Sequence, residues 1–237
     1  MDGVRLLDRT DSKYVFASRL LPEILINARD HYRILNIGNN RIFSYRSIYF
    51  DTAENKFYLD HHNGRSNRYK VRFRTYVDTG ISFLEVKYKT KNGRTIKNRI
   101  RKDEIETRLS EESMRFIRDH LPFEPDDLES KICTSFKRIT LVCKNSTGRV
   151  TIDFDLKFEN NEKSKHLGNL AVAEIKQSIN NGSVSEFAGI LNDLGINPTS
   201  MSKYCIGRVL VDDSVKYNQF KKNLLAINKI DSANDSP

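Results

Sequence analysis

The 237-residue sequence has no tryptophan, only three cysteines, five prolines and eleven glycines. The cysteines, Cys133, Cys143 and Cys205, are odd in number and form no CxxC pair. That argues against a disulfide framework and a cysteine zinc site, and it fits a reducing compartment. No apolar run approaches the ~18 residues that span a bilayer, and no secretory apolar region follows Met1. A cytoplasmic protein is therefore expected, associated at most with the cytoplasmic face of a membrane. The five histidines show no HxxxH or HExxH spacing. A Walker GxxxxGKS/T loop is missing, as are the Gly-rich, HRD and DFG signatures of protein kinases. Any nucleotide chemistry must then rest on side chains and not on a phosphate-cradling loop.

Basic residues are in excess. Forty Lys and Arg against 31 Asp and Glu leave a formal charge of +9, with a pI near 9.4. A polyanionic partner follows: nucleic acid, an anionic surface or a phosphate-rich small molecule. Neither repeats nor low-complexity tracts divide the chain, so one domain is expected over residues 1–211, followed by a polar tail, 212–237, partly helical or disordered.

Period-2 alternation dominates the middle. Ser44 to Asp51, Arg68 to Val77, Ile81 to Lys89, Arg94 to Lys102, Phe136 to Cys143, Arg149 to Phe158 and Leu170 to Gln177 read as strands, with a further one over Leu6 to Tyr14. Turns at Asp78–Gly80 and Lys91–Gly93 make an antiparallel meander. Helices are expected over Pro22 to Tyr32, Glu111 to His120, briefly near Leu128 to Ile132, over Val184 to Leu194 and within Val215 to Ile227. Ser183 with Glu186 forms a capping box, and Gly195 is a stop signal. The fold class is α+β, an eight-stranded antiparallel β-barrel with flanking helices.

The polar faces of these strands are mostly basic. Lys70, Arg72 and Arg74 share one face; so do Glu85, Lys87 and Lys89, and Lys97, Arg99 and Arg101. Like charges facing one another across a sheet destabilise it, so an anion is expected between them. Carboxylates recur on the faces Arg9, Asp11, Lys13; Arg149, Thr151, Asp153, Asp155; and Glu174, Lys176. Hard oxygen ligands for Mg²⁺ or Mn²⁺ beside Arg and Lys for phosphoryl oxygens suit bound phosphates with a divalent metal. Val71, Phe73, Leu84, Val86, Ile152, Phe154 and Val172 would pack outward against helices, with the charges in the lumen. A nucleic-acid-binding module is the rival, with Tyr69, Phe73 and Tyr76 as a stacking platform. The carboxylates on the same faces oppose it, so no specific nucleic acid is expected. Asp51 reads as the cap of a short following helix.

Arg9-Thr-Asp-Ser-Lys-Tyr14, Ser47-Ile-Tyr-Phe-Asp51, Arg72-Phe-Arg74, Leu84-Glu-Val-Lys87, Lys137-Arg138, Asp153-Phe-Asp155, Ala173-Glu-Ile-Lys176 and Ser202-Lys-Tyr204 stand in the order of a VTC domain. This stretch, Arg9 to Gly207, resembles the polyphosphate polymerase domain of the vacuolar transporter chaperone family, within the triphosphate tunnel metalloenzymes. The resemblance implies an eight-stranded tunnel that binds triphosphate or polyphosphate and transfers the γ-phosphate of ATP to a growing chain, with Mn²⁺ or Mg²⁺. Arg72, Arg74, Lys87 and Glu174 would be catalytic. Lys13, Arg72, Arg74, Lys87, Lys97, Arg138, Arg149 and Lys203 would grip phosphates, joined on the basic faces by Lys70, Lys89, Arg99 and Lys176. Glu174 would be the principal metal ligand, helped by Glu85, Asp153, Asp155 and Asp11. Hydrolytic relatives open with a Glu-rich ExExK motif where this chain has Arg9-Thr-Asp-Ser-Lys13, which fits the VTC branch better; a tripolyphosphatase or nucleoside triphosphatase is the alternative. The eukaryotic polymerase domains come with SPX and transmembrane segments, so a separate membrane protein is a candidate partner here.

Overall fold

The computed structural model describes residues 9–124, 128–178 and 185–232. Among them nine strands follow in chain order: β1 (Arg9–Ala17), β2 (Tyr32–Ile34), β3 (Phe43–Asp51), β4 (Arg68–Tyr76), β5 (Ile81–Lys89), β6 (Thr95–Lys102), β7 (Glu129–Cys143), β8 (Arg149–Glu159) and β9 (Ser164–Ser178). The helices are α1 (Leu21–Ala28), α2 (Lys56–His62), α3 (Glu111–Arg118), α4 (Glu186–Asp193), α5 (Lys203–Val211) and α6 (Lys221–Ser232). None of the described helices is long and apolar enough to cross a membrane.

The strands form one antiparallel sheet in the order β1-β9-β8-β7-β3-β4-β5-β6, with β2 on β7. The expected closed barrel of eight strands is therefore corrected. Nine strands take part, and among the described residues no ladder joins β6 back to β1. Both edges turn cations inward, Lys97, Arg99 and Arg101 on β6 and Lys13 on β1, and like charges disfavour a further ladder between them. The sheet is nonetheless curled. Lys87 on β5 feels the charge of Lys176 on β9, and Lys13 and Lys70, from opposite limbs, both reach the segment before α5, at Met201 O and Ser202 Oγ, each over 3.0 Å.

Apolar side chains cover the outer face in two places. Tyr14, Phe16, Ile139, Leu141, Val150, Ile152, Ala171 and Ala173 pack under α1 and α4; Ile48, Phe50, Val71, Phe73, Leu84 and Val86 pack under α3. Ser110 caps α3, accepting the Ser113 N–H over 3.3 Å. A third cluster lies on the inner face at one end, where α5 and α6 seat on Tyr49, Ile132, Phe136, Leu156, Phe158, Leu167, Leu170 and Val172. Val172 thus faces inward and not outward as expected. A bulge between Phe154 and Leu156 lets β8 serve both ends. Asp155, at φ +54°, is the extra residue; Asp153 before it and Leu156 and Phe158 after it share the inner face.

Three elements differ from expectation. The helix read over Pro22 to Tyr32 ends at Ala28, and Tyr32 instead opens β2, which pairs with β7. Leu128 to Ile132 is not helical: β7 begins at Glu129 and pairs with β3, continuing the alternation through Ile132, Thr134 and Phe136. Helix α5 stands where only a short motif was read, because nearly every turn of it is buried, so no polar face marks it. The expected capping box at Ser183 lies outside the described residues; Ser185 stands at the N-cap of α4. Beyond residue 211, Val215 and Ile227 are buried and α6 lies against β1 and β9.

Gly207 brings α5 onto the sheet. A Cβ there would sit 2.6 Å from Ile132 Cδ1 and closer still to the Phe158 ring. Gly207→Ala should destabilise the protein by about 1–3 kcal/mol through overpacking, read from urea unfolding midpoints; unchanged stability would show that α5 does not seat as described.

Candidate active site

Register across the curled sheet stacks the inner residues in rows. Tyr49, Arg72, Glu85 and Arg99 stand opposite one another on β3 to β6. Lys70, Lys87 and Lys97 form the next row, and Arg68 opposes Lys89 beyond it. On the other limb, Lys13, Glu174, Thr151 and Thr140 make one row, and Asp11, Lys176 and Arg149 another. Arg138 faces Asp153.

Some of these cations are neutralised. Glu85, 1% exposed, receives Arg72 Nε at 2.8 Å and Nη2 at 2.7 Å on Oε2, and Lys97 Nζ at 3.1 Å on Oε1. Burial works against its charge, but Arg72, Arg74, Lys87 and Lys97 outweigh burial and hold its carboxyl well below the usual range. Asp153 takes Arg138 on both oxygens, Nε at 2.5 Å and Nη2 at 2.8 Å, and Lys203 as well. Its carboxyl is likewise held low, against burial, by Lys203 and Arg138.

Other cations form no ion pair, although the Glu85 charge still acts on Lys87 and Arg74. Among the described residues Lys87 has neither a hydrogen bond nor an ion pair, and Arg72, then burial, then Arg74 push its ammonium well below the ordinary range. The buried Arg74 Nε has no partner; burial, then Arg72, lower its guanidinium to about 10. Burial also depresses Lys70. His61, on α2 at this end of the groove, is brought to about 2 by burial and then by Lys70, Arg68, Lys13 and Lys89; sequence reasoning missed it for want of any motif spacing.

The structure gathers Lys13, Lys70, Arg72, Arg74, Lys87, Lys97, Arg99, Arg138, Arg149, Lys176, Lys203, Glu85, Asp153 and Glu174 on the inner face, with Lys89 exposed at the rim. Asp155 is not brought there. The bulge turns it outward, to Lys137 at 3.1 Å and His166 at 2.7 Å. Phe73 is fully buried under α3 and Tyr69 stacks on Tyr88 at 4.5 Å, so the aromatic residues read as a stacking platform do not line this groove together.

A divalent ion has a narrow choice of donors. Among the described residues no three His, Cys, Asp or Glu converge. Both oxygens of Glu85 and of Asp153 are engaged by cations. Glu174 uses Oε1 for Lys176 at 3.0 Å, and against burial, Lys176 and Lys13 keep it ionised down to about 2. One carboxylate with open oxygen valence fits Mg²⁺ or Mn²⁺ that arrives with phosphoryl oxygens and water; it does not fit an all-protein cage.

The depressed carboxylates stabilise the fold at neutral pH and above the ordinary carboxylate value of ~4; that stability drains away as pH falls towards their folded values. Glu85→Gln, which strands Arg72 and Lys97, should cost about 3–5 kcal/mol at pH 7 and flatten the acid limb, measured by urea unfolding across pH. A variant as stable as wild type would remove Glu85 as the organiser of this row.

No curated protein matches the chain. Solved structures of similar fold include a protein described as a candidate adenylate cyclase from Bacillus halodurans, 14% identical, with a TM-score of 0.53 over 82% of this chain and 94% of that one. Another is an adenylyl cyclase candidate from Hippeastrum described as having a dominant triphosphatase activity, also 14% identical, with a TM-score of 0.54 over 85% and 95%. At that identity the likeness is one of fold. The VTC domain profile matches residues 8–211, and the chain belongs to the VTC domain family.

Proposed function

We propose that the protein is a metal-dependent phosphotransferase that moves the γ-phosphate of ATP onto a polyphosphate chain held in the basic groove. The observation that carries this reading is a pair of cations that form no ion pair among the described residues, Lys87 and Arg74, set among other cations on the inner face, where repulsion and burial outweigh the one carboxylate, Glu85, that acts on both. Like charges at this density raise the free energy of the empty groove, and a multiply charged phosphate chain would lower it.

Phosphoryl transfer needs positioning and charge neutralisation more than covalent help. Arg72 and Arg74 would grip phosphoryl oxygens with planar forks, and Lys87 would follow the moving charge as a point cation. The terminal phosphate oxygen of the acceptor attacks the γ-phosphorus in line. The new P–O bond forms as the bond to ADP breaks, and ADP leaves with the electron pair. Glu174 would hold Mn²⁺ or Mg²⁺ together with phosphoryl oxygens, and the ion would neutralise charge there.

The second reading is hydrolysis of triphosphate on the same groove, supported by the triphosphatase activity of the Hippeastrum protein of like fold. Products separate the two. Purified protein with ATP and Mn²⁺ or Mg²⁺, with and without a short polyphosphate primer, should lengthen the primer and release ADP, followed by gel and phosphorus NMR. Orthophosphate without chain growth, lost in Glu174→Ala, would replace transfer by hydrolysis. Arg74→Ala and Lys87→Ala should each cut turnover by at least a hundredfold, the scale seen when an oriented charge-stabilising donor is removed, while keeping the wild-type circular dichroism spectrum; full activity in a folded variant would overturn the assignment.

A further inference from the structure

Arg72 is 7% exposed and held on two sides. Glu85 takes Nε and Nη2, and Tyr49 accepts Nη1 at its hydroxyl over 3.0 Å. Tyr49 is itself placed by α5: its ring stacks on that of Tyr204, centroids 5.1 Å apart and planes 21° from parallel. The Tyr204 hydroxyl donates to Asp51 Oδ2 over 2.5 Å. Asp51 is fully buried and cannot drift, because it also accepts the backbone N–H groups of Thr52, Phe57 and Tyr58, each over 2.8 Å.

We propose that Asp51 and Tyr204 are positioning residues for Arg72, acting through the Tyr49 ring and hydroxyl. This rests on the reading that Arg72 grips a phosphoryl group. The cap of α2, the body of α5 and the guanidinium in the groove then form one chain of contacts. A planar fork must be aimed to bind oxygens in pairs, and a small misplacement of such a group is costly. Burial, and then the Asp51 carboxylate, push the Tyr204 phenol well above its ordinary range, so it remains a donor. Removing its hydroxyl leaves the other ties of α5 in place: the Ser202 cap over 3.2 Å and the Arg208 contact with Asn55 over 2.9 Å.

The test is a double-mutant cycle on Tyr204→Phe and Tyr49→Phe, read by calorimetric titration with inorganic tripolyphosphate in the absence of metal. Each single variant should lose about three- to tenfold in affinity, the scale of one hydrogen bond, and the double variant no more than the worse single, because both act on one guanidinium. Wild-type affinity in Tyr204→Phe, with or without a lowered melting temperature, would overturn the proposal by making the bond to Asp51 merely structural. Losses that multiply would overturn it too. A wild-type protein that fails to bind tripolyphosphate, or an Arg72→Ala variant that binds it fully, would instead overturn the underlying reading of the groove, and the relay with it.

Discussion

Mutual repulsion among the cations of the inner face is the constraint to which the rest of the structure answers. A sheet that places Lys70 opposite Lys87 and Lys87 opposite Lys97 cannot draw its stability from those pairs. It draws it from outside the groove, where two apolar clusters clamp the outer face under helices, and from one end, where α5 and α6 plug the inner face. The buried carboxylates are spent on the same problem. Glu85 and Asp153 each bind two cations, leaving Lys87 and Arg74 with no ion pair among the described residues. The inner cations thus differ in how fully they are paired: Lys97, Arg138 and Lys203 are tied to carboxylates and Arg72 to Glu85 and Tyr49, whereas Lys87 and Arg74 are not.

That division explains what was legible in the sequence. Strict alternation in Arg68 to Tyr76 and Ile81 to Lys89 placed Arg72, Arg74 and Lys87 on one face and Val71, Phe73 and Leu84 on the other, as the ladders show. Alternation also placed Asp155 with Asp153, and there it failed, because a bulge adds a residue without any change in composition. Whether Glu85 serves a metal or its own cations depends on distances across strands, which a single strand's pattern does not carry. Helix α5 was hidden for a different reason: burial on all sides leaves no periodic contrast to read. Closure of the sheet lay beyond pattern altogether, since edge strands look like any others until partners are assigned.

The groove is compatible with both of the reactions proposed for it. Its inner face gathers cations and leaves one carboxylate, Glu174, with an open oxygen beside Lys176 and Lys13. On either proposed reading a wall of this kind would hold phosphate by charge, whether the attacking oxygen belonged to water or to another phosphate.

The stack of Tyr49 on Tyr204 has an optical consequence. With no tryptophan in the chain, the near-ultraviolet spectrum belongs chiefly to tyrosine, and a pair of phenol rings locked 5.1 Å apart is a chiral chromophore whose signal is not masked by indole. The protein therefore carries a native spectroscopic reporter between its plug helix and its groove, one that needs no label.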